Sequence, residues 1–273
     1  MLKTRITTGA VITVIMTLVI IFSHIPWVLN TMIAALSVQA IFELFRATNL
    51  KDKKVLYIFS CIAALLISFI SIPGMSYIIV LLFAATISLF IYLMLNLKNT
   101  TKIHPWMTLY MGLAISFFFK SMSSIRQMDN GVFLLGLAVL VPVITDIAAY
   151  FVGRNLGKYK LAPVISPKKT IEGSIGGTLY SCAIVLLIAS ILQYFNVFTV
   201  NLGTLIVYTI IASIIGQFGD LAMSSIKRIV GIKDYGKLLP GHGGILDRFD
   251  SMLFVMPFTY LFCVLFGAIF ATA

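Results

Sequence analysis

Long runs of apolar residues, separated by short polar joints, follow one another along almost the whole chain. Nine of these runs approach the ~20 mainly apolar residues that a helix needs to cross a lipid bilayer. Their approximate limits are 6–23, 25–45, 55–72, 75–96, 106–122, 131–152, 174–195, 202–223 and 249–271. The pattern predicts an all-α integral membrane protein with about nine transmembrane helices.

The composition excludes the soluble alternatives. Apolar residues make up 60% of the chain and charged residues 11%, with a mean hydropathy of +1.06, which is not the composition of a water-soluble domain. The net charge of +11 would suit nucleic acid, but a nucleic-acid module is not built from long apolar runs. The three cysteines have no paired spacing, so neither a disulfide framework nor a zinc site is predicted. We expect no nucleic-acid partner.

The basic residues indicate an orientation. With a cytoplasmic N-terminus, 18 of the 20 Lys and Arg residues fall on the inner side, and only Lys120 and Arg126 lie outside. This asymmetry follows the positive-inside rule, and the anionic inner leaflet accounts for the excess charge. Nine spans then place the C-terminus outside. We expect the protein in the cytoplasmic (inner) membrane of a prokaryote, with its active site facing the cytoplasm.

No repeat or long soluble linker divides the chain, so residues 1–273 are predicted to form a single membrane domain. Residues 1–130 have short, chemically plain loops and are expected to provide scaffold, dimer and lipid contacts. Residues 131–273 carry six of the nine acidic residues and two polar cytoplasmic loops, 153–173 and 224–248. Because ionisable groups at membrane depth are costly, the chemistry is expected in this second half.

The acidic residues of the first half receive a plainer interpretation. Glu43 and Asp52 lie beside an inner basic loop. We expect each of them to be solvated or paired at the membrane interface rather than to take part in chemistry.

The end of the eighth run gathers three functional groups on one helical face. At roughly 100° per residue, Asp220, Ser224 and Lys227 point in nearly the same direction. This face is hydrophilic although it follows an apolar run. The alternative is an interfacial helix end with a snorkelling lysine.

A glycine-rich turn with one histidine, His242-Gly243-Gly244, comes next, and Asp247 and Asp250 begin the last run. Such a turn can direct backbone N–H groups at an anion, and neighbouring Lys and Arg neutralise phosphate. Two carboxylates on one face repel a polyphosphate unless divalent metal lies between them. Metal-dependent phosphate chemistry is therefore predicted. The alternative is that the acids cap the helix and the glycines form a tight turn.

The polar segment that leads into the other loop, 153–173, begins inside the sixth run with Asp146 and Tyr150, which share a helical face. It ends with Ser166-Pro167-Lys168-Lys169-Thr170 just before the seventh run, so two hydroxyls and two ammonium groups lie at a helix N-terminus. Phosphate binds well at such a place. The alternative is a cluster of inner positive charge, which we prefer for Lys158 and Lys160.

Together these residues resemble the phosphatidate cytidylyltransferases, also called CDP-diacylglycerol synthases. The long family signature matches at every specified position from Ser224 to Asp250, and the segments from Asp146 to Tyr150 and from Ser166 to Gly173 are also similar to the family. The resemblance implies transfer of a cytidylyl group from CTP to phosphatidic acid, giving CDP-diacylglycerol and pyrophosphate with Mg²⁺, and it leaves room for a second, monovalent cation. It also implies a homodimer with a polar cavity open to the cytoplasm and sideways to lipid.

The expected roles follow from this chemistry. The lipid phosphate is already anionic, so catalysis needs positioning and charge neutralisation rather than a strong base. We expect Asp220 and Asp247 to hold the metal, followed by Asp250 and then by Asp146 and Asp234. Phosphates are expected to be bound by the catalytic Lys227 and Arg228, and by Ser166, Lys168, Lys169, Ser224, His242, Gly243, Gly244 and Arg248.

Two alternatives stay open. A CTP-dependent enzyme of the same fold could act on another lipid phosphate, because the signature concerns the nucleotide and the phosphate rather than the lipid tails. A secondary transporter would also carry carboxylates such as Asp146 and Asp220 near membrane depth. A carrier needs access from both sides, however, and the polar residues concentrate on one.

Overall fold

The structure is a computed structural model that describes residues 7, 14, 17–50, 52–72, 74–267 and 269–271. Within these ranges the chain forms eight long helices: α1 (Pro26–Ala47), α2 (Lys54–Phe69), α3 (Met75–Leu95), α4 (Pro105–Arg126), α5 (Gly131–Leu156), α6 (Ile171–Tyr194), α7 (Leu202–Ile229) and α8 (Leu246–Phe266). A short 3-10 turn, Phe22–His24, precedes α1. Each helix corresponds to a predicted span, whereas half of the first predicted span, 6–23, lies outside the described residues.

Six helices in the described part of the chain, α1, α3, α5, α6, α7 and α8, are long and apolar enough to cross a membrane. Helix α2 has only 16 residues. Helix α4 has 22, but its last turns carry Lys120, Ser121, Ser123, Ser124 and Arg126. The helical membrane class is confirmed, while the nine spans and the orientation of the termini stay predictions.

Two short antiparallel strand pairs interrupt the helical chain, and the sequence did not predict them. Strand β1 (Lys160–Ala162) pairs with β2 (Ser166–Thr170), with Lys160 opposite Thr170. Strand β3 (Thr199–Val200) pairs with β4 (Phe270–Ala271). These short pairs leave the predicted all-α class unchanged.

The helices also extend further into the polar loops than expected. Helix α5 continues to Leu156 and α6 begins at Ile171, so the predicted loop 153–173 contains a compact β-hairpin. Helix α7 continues to Ile229, which reduces the loop 224–248 to residues 230–245. Many of the polar residues predicted to lie in loops therefore belong to helix ends or to the hairpin.

Helix α8 lies at the centre of the bundle, against α4, α5 and α7. The ring of Phe254 contacts four other phenylalanine rings at centroid distances between 5.7 and 6.4 Å. These are tilted or edge-to-face pairs, which aromatic rings prefer. The packing fixes the helix that begins with Asp247 and Asp250.

Small residues bring α5 and α6 close together. A Cβ atom at Gly177 would lie 2.8 Å from the carbonyl oxygen of Thr145, and one at Gly173 would lie 2.7 Å from that of Ala149. Helices in membranes use small residues for such close backbone contact. The two helices therefore form a rigid wall below the hairpin.

Candidate active site

A polar cavity of about 590 Å³ lies between α5, α6, α7 and the β-hairpin. Its charged lining residues are four basic and two acidic side chains: Arg154, Lys160, Lys168, Lys169, Asp146 and Asp220. The volume lies within the usual range of ligand sites. An excess of positive charge in a concave site favours a polyanionic ligand.

The two predicted polar segments meet in this cavity. Nζ of Lys169, on β2, lies 2.5 Å from Oδ2 of Asp220, on α7. Ser224, one turn further along α7, donates its hydroxyl to Oδ1 of Asp220 at 3.3 Å. The Lys169 and Asp220 side chains remain 22% and 23% exposed. The fold thus joins a lysine of one loop to the carboxylate of the other at a surface that a ligand can reach.

Two further carboxylates lie near Asp220. Asp250, on α8, is close enough to interact directly with it, and Asp146, on α5, is within electrostatic range of both. Asp146 also accepts a hydrogen bond from the hydroxyl of Ser251 at 3.4 Å. Carboxylates this close repel one another when they are removed from bulk water, so a cation beside them is favourable. Lys169 provides one at the cavity wall.

Asp247 has a different environment. Its Oδ2 accepts hydrogen bonds from the backbone N–H groups of Tyr235 at 2.8 Å and Gly244 at 2.9 Å. Its Oδ1 accepts a hydrogen bond from Nζ of Lys227 at 3.0 Å. Asp247 therefore anchors the loop before α8, in keeping with the capping alternative. A carboxylate oxygen has two lone pairs, so Oδ1 retains capacity for another ligand and its metal role stays a prediction.

The oxygen donors around Asp220 suit magnesium. Among the described residues, no group of three or more His, Cys, Asp or Glu side chains forms a ready-made metal cage. Mg²⁺ does not need one, because it usually binds one or two carboxylates together with water and substrate phosphates. Asp220, the adjacent Asp250 and the hydroxyl of Ser224 match that donor set.

Helix α1 supplies two contacts that the sequence did not indicate. Glu43 is buried and accepts hydrogen bonds from the N–H groups of Ile245 and Leu246, each at 2.9 Å. Nη2 of Arg46 donates to the carbonyl oxygen of Tyr235 at 2.7 Å. The expectation of a solvated or interface-paired Glu43 is wrong, because the free N–H groups at the start of α8 attract a carboxylate. Two opposite charges in a mostly apolar helix were the available signal.

Glu43 also explains one glycine of the signature. A Cβ atom at Gly244 would overlap the carboxylate of Glu43, so a larger residue would have to displace that carboxylate. Gly243 has φ of +89°, a conformation that side chains rarely adopt. The glycine-rich turn is thus shaped to receive a carboxylate from α1 as well as to form a tight turn.

Tyr235 connects the loop to α7. Its side chain is buried, and its hydroxyl donates to the carbonyl oxygen of Met223 at 2.9 Å. Burial, together with the negative charges of Asp247, Asp250 and Glu43, raises the pKa of Tyr235 well above its ordinary value. The hydroxyl therefore stays protonated and keeps this bond.

Several predicted phosphate-binding residues have structural partners. Arg228 donates from Nε to the carbonyl oxygen of Ile165 at 2.9 Å and so holds the hairpin turn. Arg248 donates from Nε to the carbonyl oxygen of His242 at 2.7 Å. Within the described part of the chain, the buried Nδ1 of His242 has no hydrogen-bond partner. That nitrogen leaves His242 with capacity for a ligand.

The remaining candidates divide by position. Lys168 is exposed at the cavity wall, and Ser166 lies on β2 opposite Ala162. Asp234 is exposed in the loop 230–245 and does not join the acidic group around Asp220. The structure thus favours Lys168 over Asp234 as a residue of the site.

Comparison with known sequences gives the family. The sequence profile of the cytidylyltransferase family matches residues 3–266. The chain belongs to the cytidylyltransferase family. Membership confirms the predicted resemblance and the predicted enzyme class, a nucleotidyltransferase. It also sets the transporter alternative aside.

Individual members of the cytidylyltransferase family are similar to this chain over different lengths. The chain is 38% identical to the phosphatidate cytidylyltransferase of Bacillus subtilis (strain 168) over 281 residues, which cover 97% of this chain and 99% of that protein. It is 47% identical to the phosphatidate cytidylyltransferase of Staphylococcus haemolyticus (strain JCSC1435) and 46% identical to that of Staphylococcus aureus (strain COL). These two similarities extend over 148 residues, which are 54% of this chain and 53% of each relative.

Proposed function

We propose that this chain transfers the cytidylyl group of CTP to phosphatidic acid, giving CDP-diacylglycerol and pyrophosphate. The contact between Lys169 and Asp220 carries the proposal, because it joins the segment predicted to bind phosphate to a carboxylate at the wall of a cationic cavity. The names of the relatives support phosphatidate as the acceptor. The membrane helices around the cavity suit a substrate that is itself a lipid.

The reaction is a single displacement at phosphorus. A non-bridging oxygen of the lipid phosphate forms a bond to the α-phosphorus of CTP, and the bond from that phosphorus to the oxygen bridging to the β-phosphorus breaks. Pyrophosphate leaves with the electron pair. Because the attacking oxygen is already anionic, the site has to align two negatively charged substrates and offset their repulsion.

Asp220 and Asp250 would hold Mg²⁺, with the hydroxyl of Ser224 beside them and Oδ1 of Asp247 as a further oxygen donor. Bound there, Mg²⁺ would offset the charge of the triphosphate and of the departing pyrophosphate. Asp146 is farther from this pair and ranks behind it. The monovalent cation remains an expectation without assigned residues.

The basic residues have separate tasks in this proposal. Lys168 and Lys169 bind substrate phosphates, and Lys169 exchanges the carboxylate of Asp220 for phosphate oxygens when the nucleotide enters. Lys227 stays paired with Asp247 and orients it. Arg228 keeps the hairpin in place through Ile165, so it acts by positioning Lys168 and Lys169.

The assembly and the sidedness belong to the same proposal. We place the cavity at the cytoplasmic side of the membrane, where CTP is available, and we expect a homodimer in the inner membrane. The concentration of basic residues in the loops on that side supports this orientation.

The test is a transfer assay with the purified full chain in detergent, given radiolabelled CTP, Mg²⁺ and either phosphatidic acid or a polyprenyl phosphate. Labelled CDP-diacylglycerol that is abolished by EDTA is the expected product. Labelling of the polyprenyl phosphate alone would favour the same chemistry on another lipid. A folded protein that binds CTP but labels neither lipid would overturn the proposal.

A further inference from the structure

A second polar cavity, of about 270 Å³, lies at the other end of the helical bundle. Asn30 of α1, Ser71 after α2, and Lys120, Ser124 and Gln127 of the α4 end line it. Tyr260 of α8 lines it as well and is ten residues beyond Asp250, which corresponds to about 15 Å along the helix. The cavity is therefore separate from the candidate active site.

Lys120 is a buried cation without a carboxylate partner. Its side chain donates from Nζ to the carbonyl oxygen of Ser68 at 2.9 Å, in the last turn of α2, where positive charge is favourable. This bond uses one of three ammonium hydrogens. All nine acidic residues lie in the described part of the chain, and the ion pairs there involve Lys169 and Lys227 rather than Lys120. A buried charge normally requires a counterion, and the cavity is large enough to hold one.

The other lining groups are neutral and polar. Ser124 and Gln127 lie in or just after the last turn of α4, and Gln127 is exposed at the cavity opening. Among the described residues, the buried Oδ1 of Asn30 has no hydrogen-bond partner. This oxygen needs a donor, whereas Lys120 needs an acceptor. A phosphate that carries a neighbouring hydroxyl satisfies both requirements.

Aromatic side chains place the opening at a membrane surface. Trp27, 72% exposed, packs its ring against that of Phe69 at a centroid distance of 5.6 Å. Phe69 itself lines the cavity. Because tryptophan concentrates at the level of lipid headgroups, the opening faces the region that contains lipid phosphate.

We propose that this cavity binds an anionic phosphate group, with Lys120 as its counterion and Asn30 as acceptor for a neighbouring hydroxyl. Two sources share this chemistry, a phosphodiester lipid headgroup and dissolved inorganic phosphate. The site takes no part in cytidylyl transfer. It stabilises the bundle at the end away from the catalytic cavity, because its ligand neutralises a charge between α2 and α4.

The test titrates the purified full chain in detergent with phosphatidylglycerol, phosphatidylcholine or inorganic phosphate, and follows bound lipid by native mass spectrometry and the thermal unfolding midpoint. We expect saturable binding of phosphatidylglycerol and about tenfold weaker binding in Lys120→Met, which removes one charge-assisted contact. Lys53→Met, at an exposed lysine near the start of α2, is the control and should bind normally. A response to inorganic phosphate alone would assign the site to the free ion.

A second variant keeps the test informative if Lys120→Met does not fold. Gln127→Glu places a negative charge at the exposed opening without touching the bond to Ser68, and it should also weaken phosphatidylglycerol binding. Unchanged binding in both variants, or no binding of any phosphate by the unaltered chain, would overturn the proposal. Transfer activity separates this site from the catalytic one, because Lys120→Met should retain it whereas Asp220→Asn should keep the lipid and lose the activity.

Discussion

Two lysine–aspartate ion pairs among the described residues have the same chemical groups but differ in exposure and in their other hydrogen-bond partners. Lys169 and Asp220 face the cavity, and both side chains keep more than a fifth of their surface exposed. Lys227 and Asp247 are 10% and 3% exposed, and the carboxylate also binds two backbone N–H groups. The first pair can separate when a charged ligand arrives, since water and ligand replace the lost contact. The second cannot separate without leaving a buried charge, which costs about 3–5 kcal/mol.

This difference assigns distinct tasks to the two pairs, of which only Lys227 and Asp247 belong to the signature Ser224–Asp250. The cavity pair belongs to substrate binding, and the buried pair keeps the loop 230–245 and the start of α8 in place. Substitutions in the two pairs should therefore affect activity and stability in different proportions.

The largest effect is expected from Asp220→Asn. It removes a carboxylate from the proposed metal site, so kcat should fall by about 10²–10³-fold or more, while the unfolding midpoint stays close to that of the unaltered chain. The measurement is labelled CTP transfer together with thermal unfolding in the same detergent. Near-normal turnover would contradict the assignment of Asp220.

Asp247→Asn should reduce both kcat and the unfolding midpoint. Asparagine keeps the shape but leaves Lys227 without its charge partner, so we expect a loss of about 3 kcal/mol in unfolding free energy as well as a large loss of activity. Comparison of unfolding midpoints with Asp220→Asn separates the two pairs. If Asp247→Asn were as stable as the unaltered chain and merely inactive, the anchoring role would be wrong and direct metal binding would be favoured.

Glu43→Gln tests the contact from α1. The amide retains one acceptor for the N–H groups of Ile245 and Leu246, so kcat should fall by about tenfold, in keeping with one lost charge-assisted bond. Hydrogen exchange should become faster in residues 230–245. Asp52→Asn, on the exposed connection after α1, is the matched control and should change neither kcat nor exchange.

Lys169→Met should act mainly on nucleotide binding. Without the ammonium group, KM for CTP is expected to rise about tenfold, because one phosphate contact is lost. Lys168→Met provides the comparison, because Lys168 is the neighbouring lysine and Asp220 is paired with Lys169 instead. A fall in kcat with unchanged KM would indicate that Lys169 acts after binding.

The smallest effect is expected at Lys158, which is exposed between α5 and the hairpin. Lys158→Ala should leave kcat and KM within about twofold, because an exposed charge in water contributes little. A marked loss would show that Lys158 contributes to substrate binding, and that its assignment to the inner cluster of positive charge is wrong.

The sequence predicted the helices well, because a run of apolar residues long enough to cross a bilayer has few alternatives to a helix. The predicted limits 75–96 and 202–223 correspond to α3 (Met75–Leu95) and to the first part of α7. The hairpin was missed, since its strands are short, polar and lack the alternation that marks a half-buried strand. Position along the chain gave no indication that Lys160 pairs with Thr170.

The part of the site that lies on one helix was predicted, whereas the contacts between distant segments were not. Asp220, Ser224 and Lys227 share a helical face, which the helical period alone determines. The partners of Asp247 depend on how a loop folds back, and those of Glu43 lie about 200 residues away. Contacts of this kind follow from tertiary packing, which a local pattern does not contain.

The bond between Glu43 and the start of α8 has a consequence for biosynthesis. The residues that it joins are 202 positions apart, so α1 has long been made when residues 245 and 246 leave the ribosome. Until then the carboxylate has only Gln39 of its own helix as a partner, whose Nε2 donates to Oε1 at 3.0 Å, and the loop 230–245 has no support from α1. The candidate active site is therefore assembled only once α8 has been made. A chain truncated before α8 should insert most of its helices and yet remain without a formed catalytic centre.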